Sequence, residues 1–179
     1  KKNTKRTRFI FQNKNDLSTF SEINKNAKYI SRVIYGSGIP KKYFKSKKNF
    51  KYHLNKDNSI KANNKFQFIY CARLLISKGI KTFLQIADSN KDHDFIIYGS
   101  FDPSSKDSIK KLDFLNLSKK ENIIYQGNIK NPLLNIKYPN PILVIPSDYG
   151  EGLPRAILEA FALRIPVISS LSATINLFT

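Results

Sequence analysis

Short runs of β-branched and aromatic residues alternate along the chain with longer segments in which apolar residues recur at helical spacing. Residues 8–12 read as a strand. A helix over about 15–24 follows, capped by Asn15 or Asp16, with Leu17, Phe20 and Ile23 on one face. A second strand over 29–35 ends at Gly36-Ser37-Gly38-Ile39-Pro40. Residues 41–65 hold nine lysines, several asparagines and little periodicity, which predicts a solvated connection that does not pack. From residue 66 onward the pattern is regular. Strands are predicted over 66–71, 95–98, 122–125, 142–145 and 166–169. Helices are predicted over 79–88, 105–117 (with Ile109, Leu112, Phe114 and Leu115) and 154–163, with a short helical turn near 133–136. Single helices between strands imply parallel βαβ units covered on both faces, and ligands in such sheets bind beyond the carboxyl ends of the strands. The predicted class is α/β, a doubly wound parallel sheet of Rossmann-like type.

A composition of 41% hydrophobic and 25% charged residues is that of a globular chain, and no apolar run reaches the length of about 18 residues that a membrane-spanning helix needs. One cysteine, Cys71, excludes a disulfide framework and a cysteine-based zinc site. Two scattered histidines, His53 and His93, exclude a histidine-rich metal cluster. There is no G-x-G-x-x-G and no G-x-x-x-x-G-K-[ST], which argues against a dinucleotide-dependent dehydrogenase and a P-loop enzyme.

Charge divides the chain. Residues 1–65 carry 18 Lys and Arg against 3 Asp and Glu, whereas residues 66–179 carry 13 against 10, for a net charge of +18. A basic N-terminal part suggests an anionic partner: phosphate groups, a lipid surface or nucleic acid. Nucleic acid is the disfavoured one, because 25 of the 31 cations are Lys rather than the Arg used in base readout, and Phe9 and Phe11 read as buried strand residues. An AT-rich coding sequence, which yields Lys, Ile and Asn, is an alternative source of the excess.

Two loops carry the candidate chemistry. In Pro146-Ser147-Asp148-Tyr149-Gly150-Glu151-Gly152-Leu153-Pro154-Arg155 a strand ends, glycines turn the chain and Pro154 opens a helix. The free amides and dipole of that helix make an anion site, and Gly150 and Gly152 let backbone approach a phosphate closely. Glu151 and Glu159, eight residues apart, can accept hydrogen bonds from sugar or ribose hydroxyls. In Cys71-Ala72-Arg73-Leu74-Leu75-Ile76-Ser77-Lys78-Gly79, Arg73 can fork onto a phosphate and Lys78 adds a point charge. Both loops leave the same edge of one sheet, and the set suits a nucleotide diphosphate-sugar. Tyr149 is a candidate for stacking on a base, and Cys71 reads as a small buried thiol.

The segment from Val144 through Gly150-Glu151-Gly152-Leu153-Pro154 to Glu159-Ala160 resembles the E-x7-E signature of glycosyltransferase family 4. Phe11-Gln12-Asn13, Gly36-Ser37-Gly38, Arg73 with Lys78-Gly79, Gly99 and Tyr125-Gln126-Gly127 agree with it. That family has the GT-B fold of two Rossmann-like domains and transfers a sugar from a nucleotide donor with retention, without a bound metal or other cofactor. The resemblance implies that residues 1–40 are the tail of an N-terminal domain and the junction, with Gly36 and Gly38 in the latter. Residues 41–65 would then be the connection and 66–179 the nucleotide-sugar-binding domain. It implies that Arg73 and Lys78 hold the donor diphosphate with help from amides near Gly152 and Leu153. Glu151 would orient the transferred sugar, and Glu159 would accept the ribose hydroxyls. The implied partners are a UDP- or GDP-linked sugar, UDP favoured, and a saccharide or lipid-linked acceptor, as in surface polysaccharide synthesis. The implied location is the cytoplasm, with the basic stretch against the anionic inner face of the membrane.

Two departures shape the expectation. Arg164 stands where the family ends its helix with a left-handed glycine, at a cost of about 1 kcal/mol. After Ser170 the chain runs from Leu171 to Thr179 without the family's further elements. It therefore reads as truncated at both ends, binding a nucleotide-sugar but not turning over alone. A remnant that binds nucleotide at most is the second reading.

Overall fold

In the computed structural model, residues 7–26, 30–36, 38–46, 65–148 and 153–170 are described. Strands β1 (Phe9–Phe11) and β2 (Ser31–Val33) pair in parallel around helix α1 (Lys14–Ile23). Phe20 of α1 packs on Phe9 and Phe11 at centroid distances of 4.8 and 5.3 Å. The cap of α1 is Asn13, earlier than expected. Its side chain accepts from the Asp16 amide at 2.7 Å and donates to the Asp16 carboxylate at 2.9 Å, a reciprocal pair that fixes the first turn. Ile23 lies exposed at the far end of α1, off the face that Leu17 and Phe20 share.

The larger unit is a five-stranded parallel sheet in the order β5-β4-β3-β6-β7. Its strands are β3 (Gln67–Cys71), β4 (Asp94–Tyr98), β5 (Ile123–Gly127), β6 (Pro141–Ile145) and β7 (Val167–Ser169). Helices α2 (Ile80–Ser89), α3 (Lys111–Leu117) and α4 (Arg155–Ala162) and a 3-10 turn at Pro132–Asn135 connect them. Successive residues of a strand face opposite sides, so β3 and β4 supply two cores. Tyr70, Phe95 and Ile97 pack with Ile80, Phe83 and Leu84 of α2 and Phe114 of α3. Ile69, Ile96 and Tyr98 pack with Leu133, Ala160 and Leu163 on the other face. Helices on both faces explain why these strands are almost continuously apolar. Among the described residues no helix is long and apolar enough to cross a membrane.

The structure departs from the expected pattern in two places. Helix α3 begins at Lys111 rather than near 105: the Ser105 and Ser108 amides close only isolated turns, and the Asp107 carbonyl and Ile109 amide bond to Ile76 and Leu74 of the loop after β3. Tyr43 is 1% exposed and belongs to the second core, with the Lys41–Lys45 backbone closed by turn hydrogen bonds. The start of the segment expected to be solvated therefore packs; its residues 47–64 lie outside the described part.

Candidate functional site

The sheet order reverses between β3 and β6: β4 and β5 extend to one side of β3, β6 and β7 to the other. The helices that follow the two central strands, α2 and α4, pack on opposite faces of the sheet, which leaves a crevice at the carboxyl ends of those strands. A cleft of about 180 Å³ occupies that crevice. Its walls are residues 70–72 at the end of β3, 144–147 at the end of β6, Lys78, and 154–156 at the start of α4. Ligand sites for drug-sized molecules span roughly 300–1,000 Å³, so a cleft of this size has room for only part of a nucleotide.

Local backbone geometry holds the walls together. Ser77 accepts hydrogen bonds at its carbonyl from the Ser147 hydroxyl at 3.1 Å and the Asp148 amide at 3.0 Å. Gly79 has φ +74°, and a Cβ there would overlap the Pro146 carbonyl. Only glycine permits both the left-handed turn and that approach, which is why Lys78-Gly79 can sit against the loop after β6. Gly36, at φ +67°, lies over Leu153, where a Cβ would come within 2.5 Å of the leucine Cδ2. The junction glycine and the start of the Leu-Pro-Arg turn are thus neighbours in space.

Of the residues singled out in sequence, Lys78 lines the cleft and Leu153 adjoins it in the chain, one residue before the wall at 154–156. Gly150, Glu151, Gly152 and Tyr149 lie outside the described residues. Arg73 is not in the cleft wall. Its guanidinium lies 2.7 Å from the Asp102 carboxylate in the loop after β4. Glu159 is 8% exposed, one turn along α4, and accepts a hydrogen bond from Arg155 Nε at 2.9 Å. Arg155 itself stands in the wall, a cation that sequence reasoning left out of the site. The available signal was its place as first residue of the helix, four before Glu159, on the face an i,i+4 pair shares.

Two groups report the surroundings of Glu159. Burial pushes the Cys71 thiol up to about 12, with Glu159 adding to the rise. Burial, then the Glu159 carboxylate, push the Tyr43 phenol upward. Cys71 is therefore a neutral thiol at the end of β3, partly buried rather than fully so, and it lines the cleft. The cleft gathers Lys78, Arg155 and the first turn of α4, whose N–H groups and dipole favour an anion.

The profile of the family described as Glycosyl transferases group 1 matches residues 51–175. The chain belongs to that family. Lys78, Arg155 and Glu159 all fall inside the match. An uncharacterized glycosyltransferase of Methanocaldococcus jannaschii is 32% identical over 111 residues, 59% of this chain and 26% of that protein. HepE of Anabaena, solved in complex with UDP and glucose, superposes with a TM-score of 0.66 at 17% identity, covering 91% of this chain and 44% of HepE. Sucrose-phosphate synthase of Thermosynechococcus elongatus gives 0.62 at 18% identity, covering 94% and 41%. WaaG, a glycosyltransferase involved in lipopolysaccharide biosynthesis, gives 0.64 at 14% identity, covering 89% and 43%. The group 1 chain thus spans about a quarter of the curated relative and less than half of each of these structures. Its fold is that of one Rossmann-like half of a GT-B glycosyltransferase, with the cleft at the sheet's switch point.

Proposed function

We propose that this group 1 chain forms the donor-binding part of a retaining glycosyltransferase of the family 4 type. It would move a sugar from a nucleotide-diphosphate donor, UDP-linked by preference, to a saccharide or lipid-linked saccharide in surface polysaccharide synthesis. The observation that carries this reading is the convergence of Lys78, Arg155 and the first turn of α4 on one cleft at the switch point. HepE, of the same fold, holds UDP and glucose, which supports a UDP-sugar. WaaG, described as a lipopolysaccharide enzyme, supports a surface-saccharide acceptor.

In this reading the diphosphate enters the cleft between Lys78 and Arg155. As the glycosidic bond breaks, negative charge gathers on the leaving diphosphate, and fixed cations and helix amides stabilise it without rearranging. Side-chain cations do the work a metal does in other transferases. Arg73 leaves Asp102 for the phosphates as a third cation. Glu159, drawn back by Arg155, accepts the ribose hydroxyls, and Glu151 orients the transferred sugar. The N-terminal excess of lysine would set the protein against an anionic membrane face, where lipid-linked acceptors reside.

Titration of the chain with UDP, GDP and uridine by ligand-observed NMR tests the reading. UDP is expected to bind, and Lys78→Ala and Arg155→Ala each to weaken it by roughly ten- to a hundredfold, the scale of a lost charge-assisted hydrogen bond. A folded chain that binds neither nucleotide would refute it.

A further inference from the structure

We propose that Asp107 is a positioning residue for the donor diphosphate, acting through Ser77 to fix the loop that carries Lys78 into the cleft. The proposal rests on the donor-site reading above. Asp107 lies in the loop between β4 and α3 and takes no part in the cleft wall. Both of its carboxylate oxygens accept from the Ser77 amide at 3.2 Å, and the Ser77 hydroxyl donates to the same carboxylate. Its own carbonyl accepts the Ile76 amide at 2.8 Å, Leu75 bridges Ser108 in antiparallel fashion, and the Ile109 amide reaches the Leu74 carbonyl at 2.9 Å. Residues 74–77 are thus laced to residues 107–109 over their whole length.

The other side of Ser77 is tied as well, since its carbonyl accepts from Ser147 and Asp148 of the loop after β6. One residue therefore joins three loops: those after β3, β4 and β6. Lys78 comes next in the chain, and Gly79 after it is wedged against Pro146. The lysine backbone is held on both sides, so the root of its side chain is fixed at the cleft and the loop has little backbone freedom left to lose on binding.

A carboxylate near an anion site would ordinarily oppose the anion. The two roles open to Asp107 consequently predict opposite signs for Asp107→Asn. If Asp107 acts only as a nearby negative charge, removing the charge strengthens diphosphate binding. If it positions the loop, Asn supplies one acceptor where the carboxylate supplied two, the loop loosens and binding weakens.

The experiment measures UDP, inorganic pyrophosphate and uridine affinities for the chain, its Asp107→Asn, Ser77→Ala and Ser77→Thr variants, and Asp107→Asn in the Lys78→Ala background. Circular dichroism and thermal melting run alongside. The expected result is a loss of roughly tenfold in UDP and pyrophosphate affinity for Asp107→Asn and Ser77→Ala, with uridine affinity unchanged. Ser77→Thr, which keeps amide and hydroxyl, retains most of the affinity. In the Lys78→Ala background Asp107→Asn adds nothing, because the coupling runs through that lysine. An equal loss for uridine, an additive loss with Lys78→Ala, or tighter UDP binding overturns the inference. Should Asp107→Asn fail to fold, the Ser77→Ala and Ser77→Thr pair carries the same comparison. A wild-type chain that binds neither UDP nor pyrophosphate overturns the donor-site reading, and this inference with it. A wild-type chain that binds both, with Asp107→Asn unaltered, overturns this inference alone.

Discussion

In the proposed donor site Arg73 has two anions to choose between, a protein carboxylate and a donor phosphate. Its present partner, Asp102, is itself held by the Ser104 hydroxyl at 2.6 Å. The Ser104 hydrogen bond first, and then Arg73, keep the Asp102 carboxyl below the ordinary carboxylate range. Arg73 is more than half exposed in this pair, and solvent-exposed ion pairs contribute little net. A diphosphate, with more charge and bidentate geometry for the guanidinium, outcompetes such a pair. Asp102→Asn should therefore raise UDP affinity a few-fold by releasing Arg73, measured in the titration described above. Acid should open the same pair, and the sign fixes where. A folded-state value below the unfolded one means that the pair survives as pH falls through the usual carboxylate range. It opens only when pH drops through the lower, folded value. Equal or weaker UDP binding by Asp102→Asn would show that the pair is a support for Arg73 rather than a competitor. Arg73 and Lys78 were legible in sequence as cations at a strand end. Asp102 and Arg155 were not, because an ion pair between loops 29 positions apart leaves no local pattern and Arg155 reads equally well as an ordinary helix-start residue.

Strands and helices of the larger sheet were legible because their apolar periodicity is strong, and each of the five strands lies within two residues of its expected bounds. The start of α3 was not, and the reason is physical. Ile109 is buried in the same core as Phe114, yet its amide bonds to Leu74 rather than to its own turn. Periodicity reports which side of the chain is apolar and not where each amide finds its acceptor. At the end of α4 the sequence spoke clearly. Arg164 sits at φ +59°, its amide reaching the Phe161 carbonyl at 3.0 Å while the Ile165 amide reaches Ala160 at 2.9 Å. Those two bonds are a Schellman close, in which the left-handed position favours glycine. Arg164→Gly should stabilise the chain by about 1 kcal/mol, seen as a rise of roughly 2–4 °C in Tm. A fall instead would mean that the arginine side chain makes a contact worth more than the strain.

The β1-α1-β2 unit and the larger sheet are joined by a segment that packs on the second core through Ile39 and the fully buried ring of Tyr43. Tyr43 is 1% exposed beside Ile69, Ile96 and Tyr98, on the face of α4 that carries Ala160 and Leu163, while its neighbour Phe44 is 68% exposed. Composition hid this: among nine lysines in residues 41–65, Tyr43 stands at no regular apolar spacing and gives no sign of burial. The Tyr43 hydroxyl donates to Asn131 Oδ1 at 3.5 Å, and the Glu159 carboxylate is near enough to push the phenol upward, so the junction, the second core and Glu159 are neighbours. Truncating a buried aromatic leaves a cavity as well as lost burial, so Tyr43→Ala should cost about 3 kcal/mol in denaturant titration, near the lower end for aromatic truncations. Phe44→Ala should stay within about 0.5 kcal/mol, as an exposed substitution does. Tyr43→Phe separates packing from polarity. It keeps the ring and removes only the hydroxyl, and about 1 kcal/mol is the scale of one such hydrogen bond. If Glu159 reads the ribose, Tyr43→Phe should in addition weaken uridine and UDP alike, whereas loosening of the Lys78 loop weakens UDP and spares uridine. Equal stability for Tyr43→Ala and Phe44→Ala would mean that the segment does not depend on the ring at all, and that the junction is carried by Gly36 against Leu153 instead.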